Sequence, residues 1–260
     1  MGLCSFRNIW LKCMPHLRVM TTRTDRCEKC EKYRKQIQEA VREEDKPAAI
    51  EGFSKHLTVA QKEQEVYQDA TKKAKTELQK SAPLPQGPQA PSSNDLFHVH
   101  YTFNFAQQLT LPCQSRQVGP LYFKVPCEVQ LFGICNETIP IQMNCLIGEQ
   151  DSIGENGTKC HGPNTVISCL HHYFVKQGMG ERSCHLHADN YTGQNKNKSI
   201  LAYLLWRVAV GLHEMIQLSF MIAGHTRFLV DRCFGMVRRK YRRSDCDYLS
   251  ELAAAIGQSS

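Results

Sequence analysis

The sequence predicts an α/β fold, in which a mixed five-stranded sheet is flanked by helices and preceded by an N-terminal helical hairpin. Two observations lead to this prediction. Strong helix formers dominate residues 26–80, whereas aromatic and β-branched runs typical of strands begin after residue 95. The later strand-like runs are separated by helical patterns, and such crossover helices imply some parallel pairing within one sheet.

Composition divides the chain into four parts. Residues 1–80 form an N-terminal helical region, with a break between its helices at the Lys46-Pro47 step. Residues 81–95 are rich in proline, serine and glutamine and predict a linker. We expect the sheet domain at 96–250 and a tail at 251–260.

The elements of the sheet domain follow in a defined order. The first three strands are predicted at 96–105, in the neighbouring runs 121–125 and 128–135, and at 139–147. Helical spacing at 164–177 and 198–212 alternates with strands at 183–188 and 215–223, and a basic helix follows the turn at 224–226. Three strands, then strands joined through helices, is the order of a ribonuclease H-like domain.

Charge and apolar content exclude some classes of protein. The chain has 260 residues, and its longest apolar run, near 201–212, contains Arg207 and is too short to span a membrane. The N-terminus lacks the pattern of a secretory signal. Thirteen scattered cysteines therefore indicate mostly free thiols in a reducing compartment. We expect a nuclear or cytoplasmic protein that is not secreted and has no membrane partner.

Two acids and one amide occupy the positions where a ribonuclease H-like domain would bind metal. Asp189 follows the fourth strand, Asp231 begins the last helix, and Asn104 lies on the first strand, where an acid is needed. Carboxylates at one sheet edge suit two Mg²⁺ or Mn²⁺ ions that clamp an in-line phosphoryl displacement. The alternatives are a turn or cap role for Asp189 and a helix-dipole role for Asp231.

Residues from about 98 to 250 resemble an uncharacterised animal domain family found in transposase-like genes. The resemblance lies in "FNFAQ" at 103–107, "HADNYTGQNKN" at 187–197 and "GHTRFLVDRCFG" at 224–235. It implies an integrase-type ribonuclease H-like fold that cuts or joins DNA with Mg²⁺. The family pattern has aspartate at Asn104, cysteine at Tyr191 and often aspartate at Gly148. With Asn104 and Gly148 in those places, we expect a degenerate catalytic centre; a non-catalytic nucleic-acid-binding or protein-interaction module is the alternative.

A second metal site is predicted in the N-terminal region. Cys27 and Cys30 have the spacing of zinc ligands, and His56 on the next helix is a candidate third ligand. Tetrahedral zinc requires a fourth ligand, for which Cys13 and His16 are upstream candidates. Two thiols on one helical turn of a packed hairpin is the alternative.

The positive charge predicts DNA as the partner. The net charge is +7, and six basic residues with no acid fall within 232–243. The candidate phosphate contacts are Lys196, His225, Arg227, Arg238, Arg239, Lys240, Arg242 and Arg243. A solvated helix end or a nuclear import signal would give the same pattern. The charged surface of the hairpin suggests self-association as well.

Overall fold

The computed structural model describes residues 26–40, 46–80, 87–94, 98–116, 123–151 and 162–258, together with residues 9, 12–14, 42, 44 and 119. Within these residues the fold is mixed α/β, with six helices and one mixed sheet. The predicted fold class is therefore confirmed.

The sheet contains six strands, one more than predicted. They are β1 (Val99–Phe105), β2 (Leu109–Leu111), β3 (Cys127–Asn136), β4 (Ile141–Ile147), β5 (Ser183–Asp189) and β6 (Met215–Met221). The order β4-β3-β1-β5-β6 has β3 antiparallel to β1 and β4, and β5 parallel to β1 and β6. The short β2 pairs antiparallel with the start of β3. Three antiparallel strands followed by two parallel ones is the predicted arrangement.

The prediction of a strand at 121–125 is wrong for the part that the structure describes. Residues 121–122 lie outside the described residues, while Phe123 and Val125 are 86% and 95% exposed and belong to no strand. The start of β3 is paired with β2 instead, and the buried Leu109 and Leu111 fill that part of the core. Apolar residues in alternation form a strand only where a neighbouring strand pairs with them and their side chains are packed.

Helices cover both faces of the sheet. The crossover helices α3 (Pro163–Gln177) and α4 (Lys198–Ala209) bury Leu170 and Ile200 against Phe103 and Leu186 on one face. On the other face, α5 (Leu229–Tyr241) and α6 (Leu249–Gly257) form a second core. Residues 251–257 belong to α6, in which Leu252 is buried, so this part of the segment is a helix and not the predicted tail; residues 259–260 lie outside the described residues.

The N-terminal hairpin consists of α1 (Glu28–Glu39) and α2 (Lys46–Lys80), with Pro47 in the first turn of α2. Proline is tolerated there because the first helical N–H groups have no partner within the helix. The buried apolar positions of α2 repeat at helical spacing, and the helix lies against β1 and β6; these positions are Ala60, Tyr67, Ala70 and Ala74. The buried face of α2 therefore packs against the sheet of the same chain.

The described part of the linker runs alongside the segment that connects α3 to β5 and is hydrogen-bonded to it. Gln89 N donates to Gly178 O and Asn94 N donates to Gly180 O, both at 2.8 Å. Residues 81–86 and 95 lie outside the described residues.

Among the described residues, no helix combines the length and the apolar character that crossing a bilayer requires.

Candidate functional site

A cleft of about 500 Å³ opens where β1, β5 and β6 end beside α5. Asn104, Asp189 and Asp231 all line this cleft, so the three positions chosen from the sequence lie at one site. They arrive from the end of β1, the end of β5 and the first turn of α5. Because β1 and β5 are adjacent and parallel, their carboxyl ends share one edge of the sheet.

Asn104 is hydrogen-bonded to Asp231 as a donor. Its Nδ2 lies 3.1 Å from Asp231 Oδ1, across 127 positions of sequence. Its Oδ1 accepts from the N–H of Phe105 at 2.9 Å. The backbone N–H requires an oxygen and the carboxylate requires a donor, so both neighbours fix the same orientation of the amide. The side chain therefore presents N–H, not oxygen, to Asp231.

The first turn of α5 is held by two carboxylates. Asp231 Oδ2 accepts from the N–H of Phe228 at 3.3 Å, which caps the helix start. The buried Glu137 accepts from the N–H of Leu229 at 3.1 Å, and also from Tyr67 and Thr102 hydroxyls at 2.8 and 2.9 Å. Asp231 therefore both caps the start of α5 and lines the cleft.

One face of α5 forms a wall of the cleft. Asp231, Phe234, Gly235 and Arg238 line it, at the i, i+3, i+4 and i+7 spacing of a single helix face. Arg238 Nη2 donates to Gln107 Oε1 at 2.6 Å, which holds the guanidinium at the cleft beside the end of β1.

The amides after Asp189 hold its carboxylate. Asp189 Oδ1 accepts from Asn195 Nδ2 at 2.6 Å and from the N–H of Tyr191 at 3.2 Å. Asn195 is fully buried, and Asn197 caps α4 by accepting from the N–H of Ile200. The amide-rich segment after β5 is therefore a turn that positions one acid, and the predicted turn role of Asp189 coincides with its place in the cleft.

The donor set of the cleft does not fit two bound Mg²⁺ ions. Such a pair requires oxygen ligands with enough negative charge to offset two dications. The Asn104 oxygen is used by the Phe105 N–H, and its amide nitrogen faces Asp231 Oδ1. The group beside Asp231 is thus an N–H donor, whereas a cation shared with Asp231 would require an oxygen ligand at this place.

A cluster of potential metal ligands lies where the N-terminal hairpin meets the loop that follows β6. The ligand atoms of Cys27, Cys30, His56 and His225 all lie within 4.8 Å of one another, so these side chains can hold a metal ion such as zinc. The sequence predicted the first three. His225, which it assigned to nucleic-acid binding, is the fourth, and Cys13 is not part of the cluster.

The distances within this cluster are slightly shorter than those between the ligands of a metal-filled tetrahedral site. His56 Nε2 lies 3.2 Å from both Cys27 Sγ and His225 Nε2, and Cys30 Sγ lies 3.2 Å from His225 Nε2. Bonds of about 2.0–2.1 Å to nitrogen and about 2.3 Å to sulfur place tetrahedral ligand atoms roughly 3.3–3.8 Å apart. A closed two-thiolate, two-imidazole set is that of a structural zinc site.

The protonation states favour metal binding by the imidazoles. Burial, and then the charge of Lys29, lower the pKa of His56. Burial, and then His56 and Arg227, lower the pKa of His225. Burial, and then the hydrogen bond and charge of Cys27, raise the pKa of the Cys30 thiol. The two histidines are therefore neutral ligands near pH 7, whereas binding a metal must displace thiol protons.

The predicted phosphate contacts are not all at the cleft. Arg238 lines it, and Lys196 is exposed on the turn after β5, with Nζ 5.5 Å from the Phe220 ring. Arg227 is exposed beside His225, and the others lie in the last turn of α5 or beyond its end; these are Arg239, Lys240, Arg242 and Arg243. Lys240 Nζ lies 3.5 Å from Gln258 Oε1, away from the cleft.

Sequence reasoning missed Arg26, which lines the cleft from the start of α1. It also missed that His225 lies with Cys27, Cys30 and His56 in a group that could hold a metal ion. His225 lies in the long motif at 224–235, and the Cys27/Cys30 pair lacked a fourth ligand. Considering these two observations together would have made His225 a candidate ligand. No such signal existed for Arg26, because its position depends on how the hairpin docks.

The fold and the two sites define a mixed α/β protein with an acid- and amide-lined cleft beside a two-cysteine, two-histidine centre. Residues 153–260 match the model of a family described as a domain of unknown function (DUF7869). This segment is less than half of the chain and contains Asp189, His225 and Asp231, but not Asn104. Neither the curated proteins nor the solved structures give a match to the chain.

Proposed function

We propose that the protein is transposase-derived, that its ribonuclease H-like domain binds DNA in the cleft, and that its metal-dependent phosphoryl transfer is lost. The observation that carries this proposal is the meeting of three sequence motifs at one cleft. The segments 103–107, 187–197 and 224–235 each contribute lining residues, including Asn104, Asp189 and Asp231. Distant segments that share one polar cleft are typical of a functional site.

The strand order supports the ribonuclease H-like part of the proposal. A ribonuclease H-like domain carries its carboxylates on the first strand, after the fourth strand and on the last helix. This chain has Asp189 and Asp231 at the second and third of these places. The hydrogen bond from Asn104 to Asp231 supports the loss of catalysis. Removing one charged ligand, at several kcal/mol, lowers the rate by roughly three orders of magnitude or more.

DNA is the proposed partner because the cleft wall carries positive charge where a phosphate backbone can reach it. Arg26 and Arg238 line the cleft, and Lys196 and Arg227 are exposed on turns that follow β5 and β6. A DNA-binding role implies a nuclear location. Self-association through the exposed surface of the hairpin would fit a transposase ancestry.

We further propose that the metal of the two-cysteine, two-histidine centre is zinc with a structural role. All four positions are protein side chains, so no ligand position is left for a reacting water. Magnesium or manganese would enter the cleft only after a carboxylate is restored at position 104.

A nicking assay on supercoiled DNA with Mg²⁺ or Mn²⁺ tests the loss of catalysis. We expect no cleavage by the wild-type protein and metal-dependent nicking by Asn104→Asp, which returns a carboxylate beside Asp231. Asn104→Asp combined with Asp189→Asn is the matched control and should be inactive. Cleavage by the wild type would refute the loss of catalysis, and an Asn104→Asp variant that neither binds metal nor nicks would refute the catalytic ancestry of the cleft.

Fluorescence anisotropy with a short duplex over a salt series tests DNA binding. Arg238→Ala removes a charge from the cleft, and Arg232→Ala removes one from an exposed position of the same helix. If the cleft binds the backbone, only the first variant lowers the salt slope by about one. Equal effects of the two variants, or no binding at low salt, would contradict the proposal.

A further inference from the structure

We infer that Arg26 is a phosphate contact of the cleft and that the metal centre holds it there. This inference rests on the proposed DNA-binding function. Arg26 immediately precedes the metal-ligand candidate Cys27, and it lines the cleft together with Asp189 and Asp231. A guanidinium is the side chain best suited to a phosphate, because its donors form a rigid fork.

The metal centre and the cleft share the same pieces of chain on both sides. His225 is the ligand on the loop after β6, and its two neighbours, Gly224 and Thr226, line the cleft. On the other side, Cys27 is the ligand and its neighbour Arg26 lines the cleft. A metal that joins Cys27 to His225 therefore fixes the two rims of the cleft relative to each other.

Close backbone packing transmits this constraint. Gly224 has a φ of +77°, and a Cβ built on it would lie 2.5 Å from both Cys27 Cα and Cys27 N. Only glycine permits both the left-handed backbone and this approach. The cleft loop is thus in direct contact with the backbone beside Arg26, with no flexible side chain between them.

Without a metal, the polar contacts between the loop and the hairpin are weak. The Nε2 atoms of His56 and His225 lie 3.2 Å apart and can share only one proton between neutral rings. Cys30 Sγ lies 3.2 Å from His225 Nε2, and sulfur is a poor hydrogen-bonding partner. The ion pair of Arg26 with Glu31 at 3.3 Å is exposed and restrains the arginine little.

A double-mutant cycle on the full chain tests the inference with duplex DNA as the probe. In the zinc-loaded protein, Arg26→Ala should weaken binding about 5- to 10-fold and lower the salt slope by about one, and Arg26→Lys should retain part of the affinity. In the Cys30→Ser background, Arg26→Ala should have no further effect. Losses that multiply in the double variant would overturn the coupling.

Hydrogen exchange gives a readout that does not depend on DNA. Chelation of the zinc should accelerate exchange at 222–228 and 26–31, and reloading zinc should restore protection. Unchanged exchange on chelation would overturn the inference, as would a protein that binds no zinc at all. If exchange responds to zinc while neither the wild type nor any variant binds DNA, the metal does join the hairpin to the loop. In that case both the proposed DNA binding and the Arg26 phosphate contact are refuted.

Discussion

His225 Nε2 lies 3.2 Å from Cys30 Sγ, although the two residues are 195 positions apart in the chain. This contact joins the N-terminal hairpin to the loop that leads into α5. It completes a group of four side chains that could hold a metal ion, whereas the sequence near Cys27 and Cys30 offers only two of them.

The first prediction concerns metal content. Cobalt(II) added to the metal-free protein should give the visible absorption of a tetrahedral thiolate site with one equivalent bound, and Cys30→Ser should abolish it. Cys13→Ser changes an exposed cysteine outside the cluster and should leave the spectrum intact. Loss of the spectrum in both variants would point to a different ligand set.

The second prediction concerns the buried carboxylate of Glu137, which accepts hydrogen bonds from Tyr67, Thr102 and the backbone of Leu229. Glu137→Ala leaves these donors without their acceptor and should lower the free energy of unfolding by about 3–5 kcal/mol. Asp69→Ala is the control, because its ion pair with Lys72 is exposed and worth under about 1 kcal/mol. Urea denaturation of both variants measures the difference, and similar losses would show that Glu137 does not support the start of α5.

The third prediction concerns the close packing of α5 on the sheet. A Cβ on Gly133 would lie 2.6 Å from Phe234 Cε1 and 2.8 Å from Val230 Cγ2. Gly133→Ala should therefore displace α5 and destabilise the protein by about 1–3 kcal/mol. Gly235→Ala is the matched substitution on the same helix, and because nothing lies within 4 Å of its Cβ it should stabilise by about 0.5–1 kcal/mol. Thermal unfolding of the two variants should shift in opposite directions, and a tolerated Gly133→Ala would contradict this packing.

The fourth prediction concerns three buried histidines on β1 and β5, namely His100, His185 and His187. Burial, and then the charges of His187 and His185, lower the pKa of His100 to about 2. Burial, followed by the charge of His185, lowers the pKa of His187 to about 3. Burial, then the charges of His98 and Lys73, lower that of His185 to about 4. All three rings are neutral in the folded state near pH 7.

The sign of the pH dependence follows from these directions. The unfolded chain takes up a proton per histidine near pH 6.5, whereas the folded chain does not until its lower pKa is reached, so stability is complete above about pH 6.5 and falls below it. Between pH 6 and 4.5, His185→Gln should reduce the slope of unfolding free energy against pH by about 1.4 kcal/mol per unit. His172→Gln is the surface control, and an unchanged slope in His185→Gln would mean that this ring titrates alike in both states.

The metal cluster also takes up protons as pH falls, so these slopes are to be measured with the zinc removed. The comparison between His185→Gln and the wild type then isolates the buried ring, whose Nε2 lies 2.8 Å from Ser219 Oγ.

The strand positions show how far local pattern reaches. The aromatic-rich run at 96–105 and the short run at 183–188 predicted β1 and β5, and both strands are buried on both faces over most of their length. The run at 121–125 failed as a prediction, because Phe123 and Val125 are exposed and belong to no strand. The helix at 249–257 was missed because its anchor, Leu252, is buried only through contact with α5 and the second core.

By itself, the sequence determined most of the elements and the local environment of Asp189, because periodicity, helix caps and the turn with Tyr191 and Asn195 involve residues within a few positions of one another. Only the tertiary structure decided that His225 joins the group that could hold a metal, that Arg26 reaches the cleft, and that the Asn104 amide donates to Asp231. Those outcomes depend on which surfaces meet when the hairpin and α5 dock on the sheet. Contacts across more than a hundred positions are set by the packing of whole elements, and no local pattern of side chains specifies them.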